Sequence, residues 1–280
     1  MSGCKISKQK PHTRCEMEHL LTLHSADWVY SFLFTIAVVA GIVDAIAGGG
    51  GLITIPSLLL LGLPPMVALG TNKLQAVIGE LTTSLVFIFS KQLPTKGIVL
   101  GILFTSIGAI AGSLAVSLVD KESLQVLLPF MMAGITIYSI TSSKLKSTDA
   151  SEAKLSISSF MVLNGLLIGF YNGFFGPGTG SFWMLAFVIL LGYTIKQATM
   201  ATKPLNLVGN MASLILFIGL GYVDYTMGLI MGAGQIVGSV IGSKFVIAYG
   251  TKLVRPVFIS VSMAMTAKLI YENLPIELFI

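Results

Sequence analysis

Four consecutive glycines, Gly48, Gly49, Gly50 and Gly51, interrupt an apolar stretch over residues 41–56 that holds a single carboxylate, Asp44. Each glycine costs about 1 kcal/mol relative to alanine in a helix interior, so a run of four ends any helix that reaches it. Backbone freed in this way is tolerated at membrane depth only where protein buries it or where it lines a cavity. The device returns at Gly169-Phe-Tyr-Asn-Gly-Phe-Phe-Gly-Pro-Gly-Thr-Gly180. Matching interruptions in two halves of a chain are a sequence pointer to a transporter's binding site.

The chain around these breaks is 54% hydrophobic and 10% charged over 280 residues, whereas soluble domains carry about 25% charged residues. That is too little polar surface for a soluble globule and predicts an all-α, polytopic membrane protein. Runs of spanning length, about 20 residues, lie at 28–47, 66–90, 97–119 and 123–140, and again at 157–175, 196–219, 225–248 and 252–271. Between the first two runs of each set sits a shorter apolar segment, 51–62 and 180–192, read as a half-helix that re-enters after the glycines. The expected organisation is a polar basic tail (1–26), a first transmembrane repeat (27–140), a Ser- and Lys-rich linker (141–156), a second repeat (157–272) and a short C-terminal tail (273–280).

Subtraction supports the duplication. Gly41 pairs with Gly169 and Asp44 with Asn172 at an offset of 128; beyond the second glycine loop the offset steadies at 130, pairing Gly62 with Gly192, Lys73 with Lys203, Gly79 with Gly209 and Glu80 with Asn210. Gly108 and Gly112 likewise match Gly238 and Gly242. These small-xxx-small segments are expected to mark close helix packing within each half.

Two topologies are compatible with the pattern. Eight full spans plus two re-entrant half-helices place both termini, Lys91, Lys96 and the linker lysines on one side, which positive-inside counting makes cytoplasmic. Ten spans in two inverted halves put the tail opposite most loop charge. The charge count favours the first.

The string Asp44-x-x-x-Gly-Gly-Gly-Gly-Leu-Ile-x-x-Pro56, followed by Ala68-Leu-Gly-Thr-Asn-Lys-Leu-Gln75 and the second glycine loop, resembles the TauE/SafE family of sulfite-exporter-like permeases, over about residues 30–272. Within it the resemblance is to a bacterial inner-membrane subgroup of uncharacterised transporters. It implies a secondary permease for a small anion such as sulfite, a sulfonate, sulfoacetate or thiosulfate, with no ATP-hydrolysing subunit. The second loop departs from the first by carrying Pro177 and Thr179, which leaves the substrate open.

Candidate substrate contacts follow from the residues themselves. Amides of Gly48, Gly49, Gly50 and Gly51, and of Gly176, Gly178, Thr179 and Gly180, stand at helix N-termini, where a partial positive charge meets an anion; the alternative is close helix crossing. Lys73 and Lys203 fall inside apolar segments, at a cost of roughly 2.5–3.5 kcal/mol at a span centre on translocon scales. Asn72 and Gln75 surround the first and Asn206 the second, a polar collar suited to an oxyanion; snorkelling to the interface is the alternative. Asp44 and Glu80 are the intramembrane carboxylates and the candidates for proton coupling, although Asp44 could equally accept amides of the glycine loop. Gln235 could reach the cavity or join two helices.

Other classes are disfavoured. A membrane enzyme needs clustered histidines or paired surface carboxylates, yet all three histidines lie in the tail. A cation channel calls for acidic rings rather than basic ones, and a non-transporting assembly subunit leaves the duplicated breaks unexplained. Cys4 and Cys15, near His12 and His19, lack a recognised ligand spacing, so neither metal nor cofactor is expected. The net charge of +5 fits membrane topology and anionic lipid rather than nucleic acid. Oligomeric state is left open.

Overall fold

A computed structural model describes residues 14–120, 122–124, 127–128, 130–131, 134 and 152–249, excepting the side chains of 14–27. The spans expected at 123–140 and 252–271, most of the linker, both chain ends and the Cys and His side chains of the tail lie largely or wholly outside the described residues. Among the described residues run the helices α1 (Arg14–Ala47), α2 (Gly51–Leu60), α3 (Pro65–Phe89), α4 (Ile98–Ser117), α5 (Ile157–Phe174), α6 (Thr179–Leu191), α7 (Ile195–Gly219) and α8 (Tyr225–Tyr249). Helix α1 starts inside the stretch expected to be a polar tail.

The helix limits follow local chemistry. Helix α1 stops at the glycines, where Gly48 adopts φ +70°, and Pro64-Pro65 opens α3 where a missing amide costs nothing. The Ser156 hydroxyl accepts from the Ser159 amide to start α5, and Thr194 with Gln197 forms a capping box before α7. Gly192, at φ +68°, ends α6. On the exposed turn after α4, Asp120 accepts from the Ser123 amide at 2.7 Å, and that bond holds its carboxyl below the ordinary aspartate value.

Five of these helices are long and apolar enough to cross a membrane. Helix α3 has comparable length but buries Lys73, Gln75 and Glu80. Helix α2 has 10 residues, about 15 Å at 1.5 Å per residue, roughly half the thickness of a bilayer's hydrocarbon core.

Neighbouring glycines fix the helix directions. Along α8, Gly234 faces Phe34 and Ala37, Gly238 faces Val38 and Gly41, and Gly242 faces Ile42 and Ala45, so α1 and α8 run parallel. Gly228 and Gly232 of α8 meet Leu74 and Ile78 of α3, making α3 parallel to both. By the same reading α4, α5 and α7 are mutually parallel, with Gly101 against Leu205, Gly209 against Thr105, Gly165 against Phe104 and Gly173 against Ala109. Helices α3 and α7 are antiparallel, since Lys73 meets Asn210 while Glu80 meets Lys203 and Asn206.

With α1 and α3 pointing the same way, α2 must run back toward the side from which α1 came. Its end packs there, where Leu61 and Leu63 join Val29 and Met227. Helices α1 and α2 therefore make a hairpin folded at the glycines, and α5 and α6 make its counterpart. Every helix of the first half opposes its repeat mate: the halves are inverted, the order of the second topology above rather than the one that charge counting favours. Charge misled because the basic tail enters the count on equal terms with the loops.

The small-xxx-small segments also pack differently from expectation. Gly108 and Gly112 of α4 seat against Leu166 and Phe170 of α5, and Gly238 and Gly242 of α8 against α1. Both contacts join opposite halves. Helices in lipid gain little from mutual burial of apolar surface, so close approach across small residues is what binds them; here it binds one repeat to the other.

Inverted halves put the start of α1 and the α2–α3 turn on one side and the α3–α4 turn with Lys91, Lys96, Lys154 and Lys196 on the other, and positive-inside counting predicts that the lysine side is cytoplasmic. With an impermeant thiol reagent on intact cells and the native cysteines removed, an introduced Ala26→Cys and an introduced Pro64→Cys should both label, and Gln92→Cys only after permeabilisation. Labelling of Ala26→Cys and Pro64→Cys from opposite sides refutes the hairpin.

Candidate functional site

The two glycine breaks meet. A Cβ added to Gly48 would run into the backbone of Gly180, and one added to Gly180 would run into Gly48, so the loops seat on each other with no room for a side chain. Gly48 also needs its positive φ, which a branched or bulky residue would resist. Ser181 donates to the Ala47 carbonyl at 2.7 Å, stitching the start of α6 to the end of α1.

Around this seat lies a cavity of about 30 Å³, lined by Asp44, Gly48, Gly51, Asn72, Ala76, Glu80, Gly176, Gly178, Thr179, Gly180, Asn206 and Asn210. That is room for roughly two waters or a compact ion. Gly51 opens α2 and Thr179 opens α6, so the positive ends of both half-helix dipoles lie on the cavity wall, although the Thr179 amide itself donates to the Gly176 carbonyl at 3.1 Å. Gly49 and Gly50 stand behind it, and the Gly50 amide donates to Asp44 Oδ1 at 3.1 Å.

Lys73 and Lys203 do not line the cavity. Both are 1% exposed, and each ammonium is enclosed by oxygens from the opposite repeat. Lys73 Nζ donates to the Asn172 carbonyl at 2.5 Å, to Asn172 Oδ1 at 2.8 Å and to Asn210 Oδ1 at 3.2 Å. Lys203 Nζ donates to the Asp44 carbonyl, to Asp44 Oδ2 at 3.3 Å and to Glu80 Oε1 at 3.5 Å. Asp44 and Asn172 are repeat mates, as are Glu80 and Asn210, so the two cages are one cage used twice. One has two carboxylates where the other has two amides. Snorkelling is ruled out for both lysines by this burial.

Glu80 thus finds its cation across the bundle, not along its own helix. Asn206 Nδ2 donates to Glu80 Oε1 at 3.1 Å, whereas Glu80 Oε2 has no hydrogen-bond partner and Glu80 lines the cavity. Asp44 accepts from the glycine loop, one of the two roles the sequence offered, and it also pairs with Lys203, which the sequence did not indicate.

Behind Asn72, Thr54 Oγ1 donates to Asn72 Oδ1 at 2.6 Å and Gln75 Nε2 donates to the same oxygen at 2.9 Å. Gln75 therefore positions Asn72 and stays off the cavity wall. Gln235 fills the notch left by Gly79 and does not reach the cavity either. The helix-face spacing that groups Ala76 with Glu80 and Asn206 with Asn210 anticipates them on one wall, but reading the sequence missed Asn172 and Asn210 as ammonium acceptors. Their status as mates of Asp44 and Glu80 was the available signal.

The two cages respond unequally to loss of their lysine. Lys203→Ala leaves two buried carboxylates without a cation, a change that costs about 3–5 kcal/mol. Lys73→Ala leaves only neutral acceptors, about 1–3 kcal/mol. Unfolding in detergent should rank Lys203→Ala well below Lys73→Ala, and adding Asp44→Asn to Lys203→Ala should recover part of the loss. Equal destabilisation by the two single variants contradicts the cage assignment.

Comparison with known proteins shows the family. The family model "Sulfite exporter TauE/SafE" matches residues 33–269. A "Probable membrane transporter protein" of Haemophilus influenzae is 41% identical over 243 residues, covering 87% of this chain and 95% of the relative. "Probable membrane transporter protein YfcA" of Escherichia coli is 41% identical over 241 residues, covering 86% and 89%. "Probable membrane transporter protein ORF9" of a Sinorhizobium species is 38% identical over 242 residues, covering 86% and 92%. The chain belongs to the TauE/SafE family, as a multi-pass membrane transporter of the bacterial inner membrane.

Proposed function

We propose that this transporter is a secondary permease for a small anion, with a sulfur-containing oxyanion such as sulfite, a sulfonate or thiosulfate as the substrate class. The observation that carries the reading is the meeting of two helix breaks at one cavity, with Gly51 and Thr179 opening their half-helices on its wall. Helix N-termini present partial positive charge to an anion. Asn72, Asn206 and Asn210 add neutral polar groups on the wall. Lys73 and Lys203 act from behind it, raising the local potential without touching the substrate.

Formal charge supports coupling to a proton. With all four groups ionised, two lysines and two carboxylates sum to zero. One proton on Asp44 or Glu80 leaves a net charge of +1, which favours an arriving anion; an anion in turn favours that proton. Anion and proton then travel together. Glu80, with one carboxylate oxygen unpartnered and its residue on the cavity wall, is the better placed of the two.

A stability screen of purified protein against sulfite, thiosulfate, sulfoacetate, taurine, sulfate and simple carboxylates identifies the anion. In proteoliposomes, Glu80→Gln should abolish accumulation driven by a pH gradient yet retain counterflow exchange of the labelled anion, with Asp44→Asn weakened in the same sense. If both variants still concentrate the anion under an imposed pH gradient, a potential-driven uniporter replaces the symporter.

A further inference from the structure

We propose that Lys73 and Lys203 are resident cations of this transporter: each ammonium takes the place of an alkali-metal ion at the C-terminal end of a broken helix. Anion transport then needs no Na+, and removal of either side chain opens a site for a small monovalent cation. The proposal takes from the proposed function only that the cavity is where the anion binds.

The ends of broken helices are where transporters of this general build hold cations, because the last carbonyls carry the negative end of the helix dipole. Here two such carbonyls, Asp44 O near the end of α1 and Asn172 O near the end of α5, each accept from a lysine of the opposite half, and Asp44 O accepts the Gly48 amide at 2.8 Å as well. Both cages are built alike. The backbone carbonyl and the side-chain oxygen of one residue, together with a third oxygen from Glu80 or Asn210, surround the ammonium. Only oxygen atoms are involved, the donor set that hard cations take.

Neighbouring carbonyls are served differently. Ala47 O accepts from Ser181 at 2.7 Å, and Gly173 O from Ser113 at 3.2 Å. A hydroxyl suffices there, whereas the two positions with three converging oxygens each receive a full positive charge. That charge is tethered through a helix of the other repeat, so it also locks a hairpin of one half onto α3 or α7 of the other.

Thermal unfolding of the purified full-length protein tests the proposal without reference to any transported anion. For wild type, replacing Na+ by K+ or N-methylglucamine should leave the midpoint unmoved, and counterflow in proteoliposomes should run at the same rate in each. Lys203→Ala and Lys73→Ala should unfold earlier, and methylammonium or Na+ should raise their midpoints saturably, with no such shift in wild type or in Lys196→Ala, which removes a lysine bonded to the end of α8. A saturable Na+ stabilisation of wild type, or counterflow that requires Na+, overturns the proposal. So does the absence of any cation response in whichever lysine variants fold. Should neither variant fold, the wild-type measurements decide it.

Discussion

Where a helix stops inside a membrane its last carbonyls need donors, and in this protein a lysine ammonium from the opposite repeat serves one such carbonyl at each break. Asp44 O and Asn172 O are the two positions where a full charge meets that need. Everything central to the structure depends on these contacts. They fix the depth at which α1 and α5 stop, hold the glycine loops against each other, and orient the polar faces of α3 and α7 toward one cavity. Without Lys73 the Asn172 carbonyl would lose its donor, whereas Asp44 O would keep the Gly48 amide at 2.8 Å; an unpaired backbone group at membrane depth costs several kcal/mol.

Inversion and interlocking follow from the same requirement. For each lysine to reach the broken helix of the other half, α3 and α7 must cross antiparallel at the centre, and the hairpins must lie on opposite sides of that crossing. The outer pairs then form between halves as well, α1 with α8 and α4 with α5, over the glycine stripes. Two repeats built this way do not form separate bundles. Each supplies the other's caps, so neither half contains its own complete site.

Much of this is legible in the sequence, but not all of it. Four glycines in an apolar run can only be a break, and an offset of 128 then 130 identifies mates residue by residue. Mates are not partners, however. The offset relates Lys73 to Lys203 and Asp44 to Asn172 without saying whether a lysine reaches the carbonyl of its own half or that of the other, because both arrangements preserve the symmetry. The small-xxx-small segments fail for the same reason: the spacing reveals a close contact and is silent about which helix makes it. Gln75 and Gln235 read as cavity residues because a buried amide resembles a ligand contact until its neighbours are known. The side on which the tail lies depends on whether α2 turns back, which is a property of the loop seat formed by Gly48 and Gly180, residues far apart in the chain.

The duplication is symmetric in backbone and asymmetric in charge, and among the buried charged residues described the asymmetry lies in the cages. Thr83 has its counterpart in Ser213 and Ser113 in Ser243, polar for polar, whereas Asp44 and Glu80 face Asn172 and Asn210. If both cages were acidic, two lysines would face four carboxylates and the cavity would repel an anion; if both were amides, two unneutralised ammoniums would be buried at prohibitive cost. One acidic cage and one neutral cage is the combination that balances the formal charge of the four buried groups, and in the proposed symport a single proton would turn that balance positive. On that proposal the amides at 172 and 210 would matter to an anion as much as the lysines do, for they leave the lysine charge not wholly cancelled once a carboxylate is protonated.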